Sequence, residues 1–160
     1  MNWFIYIFIT LITFCIMEAI TWFTHKYVMH GFLWWLHEDH HAPGKNLFQK
    51  NDAFFFIFAF PGWLCIMLGN MQQAWWVVSI GAGITLYGIA YFLVHDVIIH
   101  QRFKWFTRSR NRYIKAIRRA HKMHHKHLDK EDGESFGMLF VAKKYWDKIK
   151  DDEEMRKGVV

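Results

Sequence analysis

The sequence predicts an all-α fold, an integral membrane helix bundle with a cytoplasmic helical cap. Hydrophobic residues make up 53% of the chain, and they are concentrated in three blocks long enough to cross a bilayer as helices. Basic residues are absent before Lys26 and between Lys50 and Arg102, and they crowd into the segments that follow the apolar blocks. A soluble domain with this composition would have too little polar chain to cover three such blocks.

The predicted spanning segments cover residues 2–24, 53–69 and 74–99. A bilayer core requires roughly 17 to 25 helical residues, and the blocks are close to that range. The third segment is either one long helix or two helices broken near Gly81 or Gly83. Cys15 and Cys65 lie inside the blocks, where we expect free cysteines that pack as small core residues. We expect residues 1–160 to form a single membrane-embedded domain.

The distribution of basic residues predicts the orientation of the chain. Short loops rich in Lys and Arg remain in the cytoplasm, which in a bacterial inner membrane places about 30–50 and 101–150 on the cytoplasmic side. These two segments form the predicted cap, with helices around 32–42 and 111–128. The stretch DDEEMRK at 151–157 is expected to fray. The basic stretch 102–126 lies beside the membrane, so we expect it to contact anionic lipids and not nucleic acid.

The histidines form the most informative pattern in the sequence. The chain has 11 histidines, and all except His127 fall into four motifs that alternate between a spaced pair and a triplet. Each pair ends a predicted spanning segment, and each triplet follows in the adjacent cytoplasmic segment. His127 lies among lysines and is expected to be solvated. The motifs HKYVMH, HEDHH, HDVIIH and HKMHH give the candidate metal ligands His25, His30, His37, His40, His41, His95, His100, His121, His124 and His125.

Helix geometry places the histidines of each triplet on one face. Residues i, i+3 and i+4 are neighbours on a helix surface, so the triplets occupy positions where an amphipathic helix would bury leucine. Protonated imidazoles packed together would repel one another, and neutral unpaired imidazoles would leave ring nitrogens unsatisfied. Metal coordination resolves both problems, and because one ion takes about four to six ligands, this set indicates two ions. On an ideal α-helix the members of a pair point roughly 140° apart, so each pair is expected to straddle the two ions.

The donor set alone leaves the metal and its role open. All-nitrogen sites suit zinc, copper, iron or nickel. HEDHH also contains H-E-x-x-H, a zinc-protease signature in which Glu38 would be the general base, but that interpretation leaves HKMHH without a role. A membrane metal transporter is another alternative, although a transporter needs polar ligands within the spanning depth. Two ions beneath a lipid-facing bundle favour redox chemistry on a lipid-soluble substrate.

Two acidic residues are candidates for supporting the metal ligands. Asp96 lies four residues before His100 and is expected to accept the second N–H of that ring. Glu18 lies inside the first spanning segment, two turns before His25 and on the same face. An ionisable residue at that depth is costly and usually functional, so we expect Glu18 to orient a ligand or to hold a water.

The chain resembles the bacterial β-carotene 3-hydroxylases of the fatty acid hydroxylase and sterol desaturase superfamily, which are membrane di-iron enzymes with histidine motifs. The resemblance extends from Glu18 to at least Phe140 and is carried by HKYVMHGFLWWLHEDHH, YFLVHDVIIHQRF and AHKMHH, followed by SFG. It implies a non-haem di-iron monooxygenase that uses O2 to hydroxylate C3 of the β-ionone ring of β-carotene, giving β-cryptoxanthin and zeaxanthin. It also implies that the ten histidines hold two iron ions, which zinc can replace in purified protein.

The same resemblance implies the partners of the chain. They are a lipophilic carotenoid, membrane lipids and an external electron donor such as ferredoxin with its reductase, because the sequence has no flavin, haem or iron–sulfur motif. The spacing of the motifs barely separates this activity from that of carotenoid ketolases or of fatty acid and sterol hydroxylases and desaturases. The residues around the motifs favour the carotenoid hydroxylases.

Overall fold

A computed structural model describes residues 2–42, 48–128, 131 and 133–158, the last three as backbone only. Across these ranges the regular structure is helical and contains no strand, which confirms the all-α prediction. The α-helices are α1 (Trp3–Phe23), α2 (Trp34–His41), α3 (Ala53–Met71), α4 (Trp75–Tyr91), α5 (Arg112–His124) and α6 (Lys143–Gly158). Residues 43–47, which directly follow the predicted helix around 32–42, lie outside the described residues.

Three helical segments are long and apolar enough to cross a membrane: Trp3–Phe32, Lys50–Met71 and Trp75–Ile99. They match the three predicted segments, and the third runs as one helical segment without a break at Gly81 or Gly83. The first segment extends beyond the predicted end at residue 24, because the helix continues through the first histidine pair. The chain is therefore a membrane protein with three spanning helices among its described residues.

Two glycines of α4 allow the three spanning helices to pack closely. A Cβ at Gly81 would lie 2.7 Å from the carbonyl oxygen of Gly62 on α3, and a Cβ at Gly83 would lie 2.6 Å from Cβ of Thr13 on α1. Small residues at such contacts let helix backbones approach each other inside a bilayer, where apolar burial alone gives little driving force. α4 therefore forms the centre of the bundle, between α1 and α3.

The α-helical winding changes where α1 and α4 approach the cap. The π-helical segment Thr24–Phe32 continues α1, and the π-helical segment Phe92–Ile99 continues α4. π-Helices have hydrogen bonds from residue i+5 to residue i, and they are frequent at functional sites. The backbone N–H of His100 donates to the carbonyl of His95 over 2.8 Å in this pattern. His25, His30 and His95 therefore lie on stretches of π-helix, and His100 directly follows the second stretch.

The cap consists of α2, α5 and α6. α5 begins after Asn111, whose side-chain oxygen accepts a hydrogen bond from the backbone N–H of Ile114. Ala116 and Ala120 of α5 pack against Tyr145 and Ile149 of α6 in a small buried cluster. The predicted helices around 32–42 and 111–128 are confirmed as α2 and α5.

The prediction that residues 151–157 fray is wrong. This stretch is the second half of α6 and is paired with the basic side of α5. Glu153 binds both Arg112 and Lys115, at 2.7 Å and 3.0 Å, and Asp152 binds Arg119 at 2.6 Å. The sequence suggests a solvated tail here, but Asp152 and Glu153 have basic partners more than 30 positions earlier in the chain.

Candidate metal centre

The structure brings all ten candidate histidines together at one end of the bundle. In two groups, the candidate ligand nitrogens all lie within 4.8 Å of one another: the first group is His25, His30, His37, His41 and His124, and the second is His40, His95, His100 and His121. His125 lies beside the second group, where its Nε2 is 2.9 Å from Nε2 of His121. His127 is exposed and belongs to neither group. The separation into two groups matches the donor set expected for two ions.

The two groups are built in the same way from the two halves of the chain. The first group takes one histidine pair and the first and third histidines of the triplet that follows it. The second group takes the other pair and the first histidine of its triplet, and the third, His125, lies beside it. The middle histidine of each triplet crosses to the other group: His40 lies with the pair from α4, and His124 lies with the pair from α1. Because His40 and His124 each lie in the group of the other half, both groups contain histidines from both halves of the chain.

Each histidine pair lies within one group, so the prediction that a pair straddles two ions is wrong. His25 and His30 are both in the first group, and His95 and His100 are both in the second. The prediction assumed α-helical winding, in which residues five apart point in different directions. In the π-helical segments an i+5 hydrogen bond places such residues about one turn apart, so both rings face the same side.

Backbone and amide oxygens fix the orientation of four rings in the first group. Nδ1 of His25 lies 2.9 Å from the Phe136 carbonyl oxygen, and Nδ1 of His30 lies 2.7 Å from that of Leu128. Nδ1 of His124 lies 3.1 Å from the Glu134 carbonyl oxygen, and Nδ1 of His37 lies 2.7 Å from Oδ1 of Asn51. These oxygens only accept hydrogen bonds, so each Nδ1 must carry the proton and each Nε2 must present a lone pair.

The lone pairs of these rings converge, which is the arrangement that a cation requires. Nε2 of His37 lies 3.1 Å from Nε2 of His25 and 3.2 Å from Nε2 of His41, and Nε2 of His30 lies 3.2 Å from Nε2 of His124. Facing acceptors repel one another unless a positive charge lies between them. An ion in the first group would turn these repulsive contacts into coordination bonds, so the donor set fits a metal.

In the second group, a carboxylate contacts one of the rings. Nε2 of His95 is 3.2 Å from Nε2 of His40, and Nε2 of His100 is 2.8 Å from Nε2 of His121. Nδ1 of His95 lies 3.4 Å from Oδ2 of Asp96. Asp96 was expected to contact His100, and no such hydrogen bond is present in the described chain. The other oxygen of the Asp96 carboxylate is bound by Arg102.

Arg102 holds the Asp96 carboxylate in place. Its Nε lies 3.0 Å from Oδ1 of Asp96, and its guanidinium also donates to Oδ1 of Asp52 over 2.8 Å and to Oε1 of Gln49 over 3.0 Å. This network joins the end of the third span to the start of α3, next to Asn51. Asn51, the partner of His37, and Asp96, the partner of His95, therefore both lie beside the contacts that Arg102 makes.

Glu18 acts on the metal centre indirectly. Its Oε1 accepts hydrogen bonds from the backbone N–H groups of Met138 and Leu139, at 2.9 Å and 2.8 Å, and its Oε2 accepts one from the Tyr87 hydroxyl at 2.6 Å. The segment 136–140 held in this way includes the Phe136 carbonyl that accepts from His25. Glu18 thus fixes the segment that orients a ligand ring, whereas the sequence predicted that it would act on a ligand or a water itself.

Burial keeps the histidines of the cap neutral. It lowers the pKa of His37 to about 3, of His41 and His124 to about 2 and of His125 to about 4, and the positive charge that neighbouring rings would carry lowers each of these values further. Burial also lowers the pKa of His40 and His121 well below the usual value. Neutral imidazole is the form that binds metal ions.

These shifts predict that acid removes bound metal. An unfolded histidine has a pKa of about 6.5, so below that pH the unfolded chain binds protons that the folded centre cannot take up. The stability of the folded centre therefore falls as the pH decreases from about 6.5, and protons compete with metal for Nε2 throughout this range. We expect metal content after dialysis against a weak chelator to be constant from pH 8 to 7 and to fall steeply by pH 5. Retention that stays level down to pH 5 would contradict this account.

Glu38 faces away from the histidines. It is exposed, and its carboxylate pairs with Nζ of Lys50 at 3.0 Å. The protease interpretation of H-E-x-x-H therefore lacks its general base at the centre.

We expect Glu38→Gln to leave metal content and turnover within about twofold of the unchanged protein, since an exposed ion pair contributes little to stability. Metal analysis and a turnover assay of the two proteins would test this expectation. A loss of turnover of 100-fold or more would restore a catalytic role for Glu38.

The residues that orient the rings could hardly be predicted from the sequence. Three of these partners are backbone carbonyls, whose position no side-chain pattern encodes. Asn51 and Arg102 do have side chains, but they lie outside the histidine motifs. Arg102 has one distinguishing feature in the sequence, because it is the first basic residue after a long apolar segment.

Comparison with known proteins gives consistent matches over most of the chain. The family model for fatty acid hydroxylases matches residues 10–151. A beta-carotene hydroxylase of Pseudescherichia vulneris is 42% identical over 127 residues, which are 79% of this chain and 72% of that protein. A beta-carotene hydroxylase of Pantoea ananas is 42% identical over 135 residues, 84% of this chain and 75% of that protein. One from Paracoccus sp. (strain PC1) is 33% identical over 155 residues, 95% of this chain and 92% of that protein. No solved structure gives a significant match.

Proposed function

The chain belongs to the fatty acid hydroxylase family, and we propose that it hydroxylates C3 of the β-ionone ring of β-carotene, giving β-cryptoxanthin and then zeaxanthin. The matches to beta-carotene hydroxylases from three bacteria support this substrate. The observation that carries the proposal is the convergence of nine histidines into two adjacent groups, with His125 beside the second, where spanning helices reach the cap. We further propose that residues 1–160 form one hydroxylase domain, which is supported by the family match over 10–151.

The two groups are proposed to hold two iron ions. The first ion would be held by His25, His30, His37, His41 and His124, and the second by His40, His95, His100, His121 and His125. Two irons held there would supply the activation of O2, the insertion of one oxygen atom into a C–H bond and the release of the other atom as water. Zinc fits the same nitrogen donors, so purified protein can contain zinc without losing its ligand geometry.

The residues of the chain itself orient the rings and exclude water. The carbonyl oxygens of Phe136, Leu128 and Glu134 hold the Nδ1 protons, which keeps each Nε2 free to bind an ion. His25, His37, His40, His95 and His124 are each at most 2% exposed. Fixed partners of this kind raise the basicity of a ligand and set its direction. A buried centre also protects a reactive oxidant from water.

We propose that the centre lies at the cytoplasmic side of a bacterial inner membrane. The basic residues that follow the spanning helices support this orientation through the positive-inside rule. Each turnover needs two electrons, and we propose that a separate reductant such as ferredoxin supplies them. An acidic carrier would complement the net charge of +6 of the chain.

A bacterial host that accumulates β-carotene provides the direct test of the proposed function. Expression of this chain should convert β-carotene into β-cryptoxanthin and zeaxanthin, and growth under 18O2 should place one 18O atom in each new hydroxyl group. Accumulation of a ring ketone would instead assign the chain to the ketolases. Unchanged β-carotene beside a folded, iron-loaded protein would overturn the proposed substrate.

A further inference from the structure

A groove at membrane depth lies between α1 and the segment 134–144. It has a volume of about 580 Å³, which is within the range of roughly 300–1,000 Å³ for small-molecule sites. Its apolar lining includes Cys15, Ala19 and Trp22 of α1 and Phe136, Gly137 and Phe140 of the facing segment. Cys15, Ala19 and Trp22 recur with helical spacing, so one face of α1 forms the whole of one wall.

The facing wall consists mainly of the non-helical residues 134–142, which descend beside α1, and it ends at Lys144 in the first turn of α6. Glu18 binds the backbone N–H groups of residues 138 and 139, and it lies seven residues before His25 in the sequence. At a rise of about 1.5 Å per residue, this segment reaches roughly 10 Å deeper into the bilayer than His25. Irregular backbone is tolerated at that depth only where its polar groups have partners, and the Glu18 carboxylate is such a partner. Glu18 therefore makes the groove possible.

The groove opens beside Cys15 on the outer surface of α1, and Phe136 closes it on the side of the first histidine group. Cys15 is exposed on the outer surface of α1, contrary to the expectation that it packs as a core residue. Phe136, in contrast, is 2% exposed, and its ring centroid lies 5.5 Å, 5.3 Å and 5.1 Å from the ring centroids of His25, His30 and His124. A single aromatic side chain thus separates a lipid-accessible groove from the first histidine group.

We propose that this groove receives the end ring of the carotenoid substrate, with the ring against Phe136 and the long polyene in the bilayer along α1. This inference rests on the proposed function for the class of substrate. Leu11 and Ile12 continue the same face of α1 outward from Cys15 and are 58% and 45% exposed, so they offer an apolar track for the polyene. The exposed Cys15 makes the groove accessible from lipid, as a molecule that never leaves the membrane requires.

The two cysteines of the chain provide a binding test that needs no turnover. Cys15 lines the groove, and Cys65 lies on α3 outside it. In proteoliposomes, β-carotene should slow the reaction of Cys15 with a lipid-soluble thiol reagent at least threefold and leave the rate at Cys65 unchanged. Lycopene, which has the polyene without end rings, should protect Cys15 much less. Equal protection by lycopene, or no protection by β-carotene, would overturn the proposed ring site.

A matched pair of substitutions tests the same site through activity. Ala19→Trp fills the groove, whereas Ala59→Trp places the same side chain at an exposed position of α3 that does not line it. We expect Ala19→Trp to lower hydroxylation of β-carotene at least tenfold at unchanged metal content, and Ala59→Trp to leave it within twofold. Equal activity of the two variants would reject the groove while leaving the proposed function intact. A parent protein that is inactive on β-carotene would instead reject the proposed function.

Discussion

Replacement of His124 by Ala is expected to lower turnover by about 100-fold or more and to reduce the metal content of the purified protein. His124 is fully buried, and its ring connects two parts of the centre. Its Nε2 lies 3.2 Å from that of His30, and its Nδ1 is held by the Glu134 carbonyl. Loss of a group that only supports a metal ligand typically costs 10–100-fold in metal affinity or activity, so the loss of a ligand itself should cost at least as much.

His127→Ala is the matched control, because His127 is exposed three residues away and lies outside both groups. Metal analysis and zeaxanthin production should be unchanged in that variant. His40→Ala should reproduce the defect of His124→Ala, since His40 makes the corresponding crossing from the other half of the chain. If the His124→Ala protein kept two ions per chain and full turnover, His124 would not be a ligand.

The second large effect is expected from Glu18→Ala. This substitution removes the acceptor of the Met138 and Leu139 N–H groups and of the Tyr87 hydroxyl. Each buried donor left without a partner costs about 1–3 kcal/mol, so the segment 136–140 should leave its position and release the carbonyl that holds His25. We expect metal affinity, measured by competition with a chelator, to fall roughly 10–100-fold.

Tyr87→Phe provides a graded comparison for this variant. It removes one of the hydrogen bonds to Glu18 and keeps the bonds to the backbone of the segment. Its metal affinity should therefore lie between those of the parent and of Glu18→Ala. An unchanged affinity in Glu18→Ala would show that the carboxylate does not position the ligand segment.

The positions of the spanning helices and the convergence of the histidines could be predicted because both follow from residue types that rarely have another use. Long apolar blocks have few alternatives to crossing a membrane. Buried histidines at i, i+3 and i+4 have few alternatives to a metal. The same reasoning located α2 and α5, since their triplets mark the buried face.

The details that were missed depend on backbone geometry and on distant partners. The assignment of each pair to one group required π-helical winding, and HKYVMH and HDVIIH are compatible with either winding. Asp96 lies against His95 while Arg102 binds its carboxylate, and the sequence pattern does not show that ion pair. The role of Glu18 depends on a segment 120 positions later, and helix α6 persists to residue 158 because its acids meet bases on α5. Such contacts are determined by tertiary packing, which local patterns do not encode.

The most direct test of the central claim is the number of metal ions in the purified, detergent-solubilised protein, counted together with the first coordination shell by X-ray absorption. Protein produced with ample iron should contain two ions per chain, with a shell dominated by imidazole nitrogen at each. A single ion per chain, or a shell dominated by sulfur, would contradict a centre built from two histidine groups.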